Sequence, residues 1–352
     1  MKTDLLSMEM GELEDFCRGL GEPKFRAGQI FRWMHLGTAI ADMSDLSRPL
    51  RETLSEQAVL LYPEIAEKYV SQKDGTVKYL WRLHDGQNVE SVFMRYHHGN
   101  TICISTQAGC RMGCAFCAST LGGKVRDLLP AEMLGQVIMA QRDMGERISG
   151  VVLMGIGEPL DNYDNVIRFL HLVNHPKGLN IGYRHISLST CGLVDGIDRL
   201  AEENLPITLS ISLHAPTDTL RSQIMPINQK WNIAQLLGAA VRYFEKTGRR
   251  ISFEYTLIAG KNDTKEGAAA LVSAMKTYVG RKMPIHINLI PVNPIAERDF
   301  HSSNTENIRR FAEYLEKNGM TATTRRTLGP DINASCGQLR NRENQKSINQ
   351  GA

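Results

Sequence analysis

The sequence predicts an α/β protein, a partial (β/α)6 barrel with a small N-terminal helical domain and a β-hairpin extension. From residue 100 onward, short apolar runs alternate with amphipathic stretches, a pattern typical of a parallel sheet covered by helices. Residues 65–98 instead alternate apolar with polar side chains around Asp74-Gly75 and Asp85-Gly86, which predicts antiparallel hairpins. Because only about six β-α units follow, we expect an incomplete barrel rather than a closed eightfold one.

The individual elements follow from the same patterns. The first 60 residues contain amphipathic stretches at Met8–Leu20 and Ala27–Leu36, which predict helices. A helix over Ala131–Met144 begins after Pro130, and another covers Thr264–Tyr278. The predicted barrel strands are Thr101–Ser105, Gly150–Met154, His185–Ser189, Ile207–Leu213, Ile251–Leu257, Ile285–Ile290 and Thr321–Arg325.

We divide the chain into a helical domain at 1–60, a β-rich extension at 61–99, the partial barrel at 100–328 and a C-terminal tail at 329–352. The net charge is only +3, so no strong overall field points to a polyanionic partner. The charge is concentrated late in the chain, where the basic residues are Arg325, Arg326, Arg340, Arg342 and Lys346. A basic tail can contact phosphates, although chain ends are often basic without such a role.

The composition excludes several classes of protein. A hydrophobic content of 42% and a charged content of 22% are ordinary for a soluble globular enzyme. No run of about 18 apolar residues occurs, and the first residues lack the apolar core of a signal peptide, so we expect no membrane association. Seven cysteines, an odd number, do not suit a secreted disulfide scaffold. We therefore expect a protein of the reducing cytoplasm.

Three of the cysteines, Cys110, Cys114 and Cys117, lie close together at x3 and x2 spacing. A structural zinc site takes four ligands, and no fourth cysteine lies nearby. A four-iron cubane held by only three thiolates keeps one iron open, where a substrate can coordinate. The spacing therefore predicts a [4Fe-4S] cluster. The alternative is three buried cysteines without a metal, but Gly109 and Gly113 argue against a regular helix or strand here.

Small and polar residues follow several predicted strands, at the edge where ligands bind in such folds. Gly157 and Glu158 follow the strand at 150–154; the glycine would let the backbone approach a ligand, and the carboxylate could hold an ammonium group. The alternative for Glu158 is a turn whose acid caps a helix. Further candidate cofactor-binding residues at strand ends are Ser189, Ser212, Leu213, His214 and Asn293.

Two other cysteines stand apart from the triplet. Cys336 is flanked by small and polar residues and a glycine, which is unusual for a core cysteine, so its thiol is a candidate nucleophile. Cys103 lies on the first predicted barrel strand. Cys17 and Cys191 are expected to be packing residues.

Together these motifs resemble a known family. The triplet, with Phe116 before its last cysteine, is similar to the signature of radical S-adenosylmethionine (SAM) enzymes. Cys103, Gly-Glu-Pro-Leu at 157–160, Ser-Leu-His at 212–214 and Ala-Ser-Cys-Gly-Gln-Leu at 334–339 extend the likeness over nearly the whole chain. The combination resembles the RlmN family of 23S ribosomal RNA adenine methyltransferases and its resistance-conferring relative Cfr. The resemblance implies a radical SAM barrel, a [4Fe-4S] cluster and SAM. Because residues 1–60 precede the barrel and are expected to expose Lys24, Arg26 and Arg32, we expect them to bind RNA.

The resemblance also implies the chemistry, with two SAM molecules used per turnover. The first methylates Cys336, and the second yields a radical that removes hydrogen from that methyl group. The carbon radical adds to carbon 2 of an adenine, Glu90 removes the ring proton, and Cys103 forms a disulfide with Cys336 that releases the methylated RNA. Without the resemblance, Glu90 would be read as a solvated acid on a strand.

The implied substrates are 23S rRNA and the adenosine beside the tRNA anticodon. Flavodoxin or ferredoxin is the implied electron donor, and we expect a monomer.

Two alternatives stay open at the level of sequence. A Cfr-like enzyme would methylate carbon 8 of the same base with the same residues, although Arg326–Leu339 and Arg340-Asn-Arg are more similar to RlmN. A metal-dependent RNA-binding module without catalysis is the alternative from another class. The missing fourth ligand argues against a zinc site of that kind.

Overall fold

A computed structural model of the chain describes residues 2–339. The helices are α1 (Met10–Gly19), α2 (Phe25–His35), α3 (Arg48–Gln57), α4 (Pro130–Met144), α5 (Tyr163–Asn174), α6 (Val194–Glu203), α7 (Asp218–Ile224), α8 (Ile233–Thr247), α9 (Lys265–Tyr278) and α10 (Thr305–Lys317). The strands are β1 (Thr3–Asp4), β2 (Ala58–Val59), β3 (Glu64–Val70), β4 (Val77–Arg82), β5 (Asn88–Tyr96), β6 (Gly99–Cys103), β7 (Gln107–Gly109), β8 (Lys124–Asp127), β9 (Ile148–Leu153), β10 (Ile186–Thr190), β11 (Thr208–Ser212), β12 (Ile251–Leu257), β13 (His286–Pro291) and β14 (Thr321–Thr324). The basic tail residues Arg340, Arg342 and Lys346 lie outside the described residues.

A sheet of ten strands organises the fold, in the order β14-β13-β12-β11-β10-β9-β6-β5-β4-β3. From β6 to β14 in this order, every neighbouring pair is parallel. Helices stand between consecutive parallel strands along the chain, and β14 and β3 form opposite edges. The predicted partial barrel is therefore confirmed, and each predicted barrel strand overlaps an observed one.

The hairpin strands β3, β4 and β5 continue this same sheet. They pair antiparallel with one another about the two predicted Asp-Gly turns, and β5 pairs antiparallel with β6. Val92 of β5 lies opposite Cys103 on one side and opposite Lys78 on the other. Because side chains alternate between faces along a strand, Glu90 shares a face of the sheet with Val92, Lys78 and Cys103.

The barrel core joins strand and helix side chains into one apolar cluster. Phe253 and Leu289 of the sheet and Leu237 and Leu271 of the helices are all fully buried in it. The helix predicted after Pro130 begins at that residue as α4, where proline costs no helical hydrogen bond. Among the described residues, no helix is long and apolar enough to cross a membrane.

The N-terminal domain is helical as predicted, but β1 and β2 also form a small parallel pair there. Two-residue strands are too short to leave a readable alternation, which is why the sequence did not indicate them. Ile30, Phe31 and Met34 of α2 are fully buried. Asp45 ties the next segment to α2 by accepting hydrogen bonds from the Trp33 indole and from Arg32.

His35, the last residue of α2, joins this domain to the barrel. The residue is 4% exposed, its ring stacks on Phe31 at 4.2 Å between centroids, and its Nδ1 accepts a hydrogen bond of 3.2 Å from the Leu179 backbone. Burial lowers the pKa of His35 to about 3, and the nearby His175 adds a smaller effect in the same direction. His35 is therefore neutral in the folded protein near neutral pH.

We expect acid to destabilise the protein through His35. The folded state holds the ring neutral, whereas the unfolded chain binds a proton below about pH 6.5. The unfolded state therefore gains protons as the pH falls from about 6.5 toward 3, and the free energy of unfolding falls in that window. Denaturant titrations at about pH 7 and about pH 5 measure the loss. The free energy of unfolding of His35→Gln should fall less between these pH values than that of the wild type. The exposed control His301→Gln should lose as much stability as the wild type. Equal losses in all three proteins would contradict the prediction.

Candidate active site

The cluster loop, residues 110–123, carries Cys110, Cys114 and Cys117 between the antiparallel strands β7 and β8. Its backbone from 110 to 117 is neither helix nor strand, as predicted. The loop closes tightly at its base, where Gly109 has φ +79° and a Cβ would lie 1.9 Å from the carbonyl oxygen of Gly123. Only glycine fits that position.

A cavity of about 150 Å³, the cluster cavity, lies beside this loop at the carboxyl ends of the parallel strands. The predicted site residues that line it are Cys110, Cys114, Cys117, Gly157, Glu158, Ser189, Ser212, His214, Asn293 and Cys336. They come from the ends of β9, β10, β11 and β13, from the loop and from the tail. The structure thus brings together most of the residues that the sequence singled out.

The donor set of the loop, three thiols, suits a cubane. Among residues 2–339, no set of three or more His, Cys, Asp or Glu side chains is placed to hold a single metal ion. A cubane instead binds each thiolate at a different iron, so its ligands do not converge on one point. Burial raises the pKa of Cys110 to about 12 and raises those of Cys114 and Cys117 as well. These thiols would lose their protons on binding metal.

Glu158 is 3% exposed and braces the turn after β9. Its Oε2 accepts a hydrogen bond of 2.7 Å from the Cys191 backbone, and its Oε1 accepts one of 3.1 Å from the Leu160 backbone. Burial raises the pKa of Glu158, and the hydrogen bonds oppose that rise. The carboxylate therefore joins the ends of β9 and β10 and caps the short helical turn Pro159–Asp161, while it also lines the cluster cavity.

Gly157 also lines the cavity, but its lack of a side chain serves the packing of the chain. It has φ +114°, and a Cβ would lie 2.7 Å from Cβ of Gln107 and 2.8 Å from the backbone nitrogen of that residue. Packing therefore requires glycine at this position, and the close approach of its backbone to a ligand stays a prediction. The close neighbour is the start of β7.

His214 is buried beside the loop and is neutral. Its Nδ1 accepts a hydrogen bond of 2.9 Å from the Thr256 backbone, and its ring meets Phe116 edge-on at 4.9 Å. Because a backbone N–H can only donate, the ring proton lies on Nε2, which makes that nitrogen a donor. Burial lowers the pKa of His214 to about 3. His214 therefore lines the cavity as an uncharged group.

Leu213, which the sequence placed among the cofactor contacts, is fully buried in the core and does not line the cavity. Its side chain points away because it alternates with those of Ser212 and His214. Its carbonyl accepts a hydrogen bond of 3.1 Å from Arg221, which the sequence analysis missed. Arg221 is itself fully buried and donates to the carbonyls of Cys191 and Ser212 at 2.7 and 3.1 Å. It therefore fixes the ends of β10 and β11 to each other.

The tail places Cys336 in the wall of the cluster cavity. Gly337 accepts a hydrogen bond of 2.8 Å from the Ala118 backbone, and the Leu339 carbonyl accepts one of 2.8 Å from the Ser119 hydroxyl. The Cys336 carbonyl accepts one of 3.0 Å from the Asn293 amide. Asn293 thus contacts the tail directly as well as lining the cavity.

A second, smaller cavity of about 40 Å³ lies on the other side of Cys336 and is lined by Cys103. The two cysteines are free thiols, and Cys336 is common to both cavity walls. Burial raises the pKa of Cys103 to about 12, and Cys336 contributes to the rise. The structure therefore brings together two cysteines that are far apart in sequence, as the resemblance implied.

Glu90 is neither solvated nor exposed to these cavities. It is 4% exposed, and its Oε1 lies 3.3 Å from Nζ of Lys78, which is also buried. Lys78 in turn donates a hydrogen bond of 3.4 Å to the carbonyl of Asn333 in the tail. Glu90 therefore lies on the sheet face that the tail covers, and it does not line the cluster cavity or the second cavity.

Two charged residues of the site escaped the sequence analysis. Arg325, just after β14, lines both cavities, and Glu254 of β12 lines the cluster cavity. Glu254 is 4% exposed and accepts hydrogen bonds of 2.9 Å from Ser252 and 2.7 Å from Asn288. A lone acid inside an apolar strand was the available signal for Glu254. For Arg325 the signal was its place as the last residue of a predicted strand. Cys17 is buried in the core as expected, whereas Cys191 both packs and lines the cavity.

Comparisons with known proteins support the interpretation of this site as a radical SAM active site. Residues 104–272 match the model of the radical SAM superfamily, and residues 3–60 match that of a ribosomal RNA large subunit methyltransferase N-terminal domain. A relative from Lachnospira eligens, called a probable dual-specificity RNA methyltransferase RlmN, is 52% identical over 97% of this chain and 96% of its own. The chain belongs to the RlmN family.

Further members of the RlmN family and a solved structure support this. A relative of the same name from Alkaliphilus metalliredigens is 51% identical over 96% of this chain and 95% of its own. The crystal structure of a radical SAM methyltransferase from Sphaerobacter thermophilus superposes with a TM-score of 0.90 at 39% identity, covering 96% of this chain and 99% of that one. Both the radical SAM fold and the N-terminal domain are therefore shared with RlmN relatives over nearly the full length.

Replacing any one of Cys110, Cys114 or Cys117 by Ala should abolish iron loading and SAM cleavage, because the cubane would keep only two protein thiolates. Iron content per chain and 5′-deoxyadenosine formation under anaerobic conditions measure the effect. Cys17→Ala, which removes a buried cysteine outside the site, is the matched control and should load iron normally. Full iron content and normal cleavage in a triplet variant would refute the cluster assignment.

Arg221→Met should lower the free energy of unfolding by roughly 3 kcal/mol or more, because buried carbonyls lose their donors. Chemical denaturation measures the change. Arg242→Met removes an exposed pair with Asp198 at 2.8 Å and should cost at most about 1 kcal/mol. Equal stability of the two variants would show that the Arg221 hydrogen bonds do not hold the strand ends together.

Proposed function

We propose that this protein methylates carbon 2 of an adenosine in 23S rRNA and of the adenosine beside the tRNA anticodon. It would use two SAM molecules per turnover and a methyl group carried on Cys336. The observation that supports this best is the position of Cys336 in the wall between the cluster cavity and the cavity of Cys103. A thiol in that position can contact a methyl donor in the cluster cavity and the Cys103 thiol in the second cavity.

The chemistry of the substrate explains why such a site is needed. Carbon 2 of adenine lies between two ring nitrogens and is electrophilic, so it cannot attack the electrophilic methyl group of SAM. When bound, the cluster on Cys110, Cys114 and Cys117 supplies the electron that splits SAM to a 5′-deoxyadenosyl radical. The cavity residues Ser189, Ser212, His214 and Asn293 would hold SAM by hydrogen bonds, and Glu158 would face its ammonium group.

Cys336 would act first as a nucleophile. Its thiolate attacks the methyl carbon of SAM; the new bond joins Sγ to carbon, and the broken bond leaves its electron pair on the SAM sulfur. Transfer of a hydrogen atom from that methyl group to the 5′-deoxyadenosyl radical would then leave a carbon radical on Cys336, which would bond to the adenine ring. The tail thereby carries the carbon and links enzyme to RNA.

Cys103 and Glu90 would complete the turnover. Glu90 would take the proton from the substituted ring carbon, and the ring would give its unpaired electron to the cluster, which cleavage of SAM leaves one electron short. The Cys103 thiolate then attacks Sγ of Cys336, the bond from that sulfur to the RNA-linked carbon breaks, and the electron pair and a proton complete the new methyl group. Because the tail covers Glu90 through the Lys78–Asn333 hydrogen bond, the tail must shift for this carboxylate to reach the base.

Residues 1–60 would serve as the RNA-binding accessory domain. In the structure, the cations of this domain that we expected to face RNA are paired with acids. Lys24 lies 3.0 Å from Glu14, and Arg32 lies 2.9 Å from Asp45. Phosphates would therefore compete with these carboxylates, which makes binding sensitive to salt. Flavodoxin or ferredoxin would supply the electrons, and the protein would act as a monomer.

Mass spectrometry of nucleosides after anaerobic reaction with 23S rRNA and with tRNA tests the proposal. We expect 2-methyladenosine in both substrates. Appearance of 8-methyladenosine instead would assign the enzyme to carbon 8, and absence of any methylated adenosine with a cluster-loaded enzyme would refute the proposal.

The two additional cysteines should fail at different stages. Cys336→Ala should carry no methyl group and never attach to RNA. Cys103→Ala should accept the methyl group and add to adenine but should not release the product, so protein–RNA adduct should accumulate. Denaturing gels before and after ribonuclease treatment detect that adduct. If Cys103→Ala releases methylated RNA near the wild-type rate, Cys103 is only a packing residue of β6.

A further inference from the structure

The tail segment 329–334, just before Cys336, is docked on the turn between β3 and β4. The carboxylate of Asp331 accepts hydrogen bonds of 2.7 Å from the Ser71 hydroxyl and 2.9 Å from the Gln72 backbone. The carboxylate of Asp74 accepts one of 2.9 Å from the Gly329 backbone. About 255 residues of chain separate these partners, so nothing local brings them together.

The docking surface is preorganised by the turn itself. Ser71 is 3% exposed, and its hydroxyl also accepts hydrogen bonds from the backbones of Lys73 and Asp74 at 3.2 and 3.3 Å. Asp74 further accepts one of 3.0 Å from the Thr76 backbone. The groups that hold the tail are therefore already fixed by the hairpin. Docking costs the conformational entropy of the tail but not that of the hairpin.

Cys336 consequently sits in a short span that is held at both ends. On one side are the contacts of residues 329–333 with the hairpin, and on the other are those of Gly337 and Leu339 with the cluster loop. Asp331 is five positions before Cys336, which at full extension is less than about 18 Å of chain. Loss of the hairpin contacts would leave Cys336 held from one side only.

We propose that Asp331 is a positioning residue, which clamps the tail on the β3–β4 turn and so holds Cys336 between the two cavities. The hairpin extension then has a part in the reaction although none of its turn residues touches the reacting atoms. The catalytic meaning of the clamp rests on the proposed function, because only a methyl-accepting Cys336 needs this placement.

Alkylation of the holoenzyme by iodoacetamide under anaerobic conditions, read by peptide mass spectrometry, tests the clamp. Asp331→Ala and Ser71→Ala should each speed alkylation of Cys103 and Cys336 by about tenfold, since the tail would lift more often. Asp331→Asn keeps one acceptor oxygen, so its alkylation rates should lie between those of the wild type and those of Asp331→Ala. Glu67→Ala on the same hairpin, whose carboxylate contacts Tyr69 of its own strand, is the control and should match the wild type.

Cys17 serves as the internal reference, because it is buried in α1 and lines neither the cluster cavity nor the second cavity. Equally faster alkylation of Cys17 would mean general destabilisation and would overturn the clamp, as would unchanged alkylation of Cys103 and Cys336.

The fraction of Cys336 that carries a methyl group after incubation with SAM gives the second readout. It should fall several-fold in Asp331→Ala while iron content stays normal. Selective alkylation without that fall would overturn the positioning role. A wild-type enzyme that never methylates Cys336 would instead refute the proposed function, and the alkylation result would still decide whether the clamp exists.

Discussion

The parallel register of the barrel strands is the constraint on which the site depends. Because β9, β10 and β11 run in the same direction, the turn that carries Glu158 and the residues Cys191 and Ser212 meet at one edge of the sheet. Two buried ionisable groups secure that edge. The Glu158 carboxyl group accepts hydrogen bonds from backbone N–H groups, and the Arg221 guanidinium donates to backbone carbonyls. The strand ends are therefore held by side chains, where the regular ladder of the sheet stops.

Local sequence patterns sufficed for the barrel because most of its strands are short, apolar and followed by a helix. The strand and helix positions, the Asp-Gly turns and most of the cavity residues could be read in this way. The pairs β1–β2 and β7–β8 could not, because strands of two to four residues have too few alternations to stand out. The direction of a single side chain, such as Leu213, depends on the pleat and not on proximity to a motif.

Buried charges were the other class that sequence reasoning missed. Arg221 lies in the short helix α7, and no pattern around it shows that its guanidinium turns inward to carbonyls of two strands. The burial of Glu90 could likewise not be predicted from the sequence. It depends on a tail that follows some 240 residues later and on Lys78 of the neighbouring strand. Long-range pairings of this kind are set by the completed fold.

The tail closes the site from the end of the chain, and this has a consequence for biogenesis. A chain emerging from the ribosome completes β6 to β14 and the cluster loop before residues 329–339 are available. The loop therefore passes through a stage in which its cysteines are presented without the contacts to Gly337 and Leu339. Iron and sulfide inserted at that stage would not require a later opening of the finished protein. The order of translation can therefore place cluster insertion before docking of the tail.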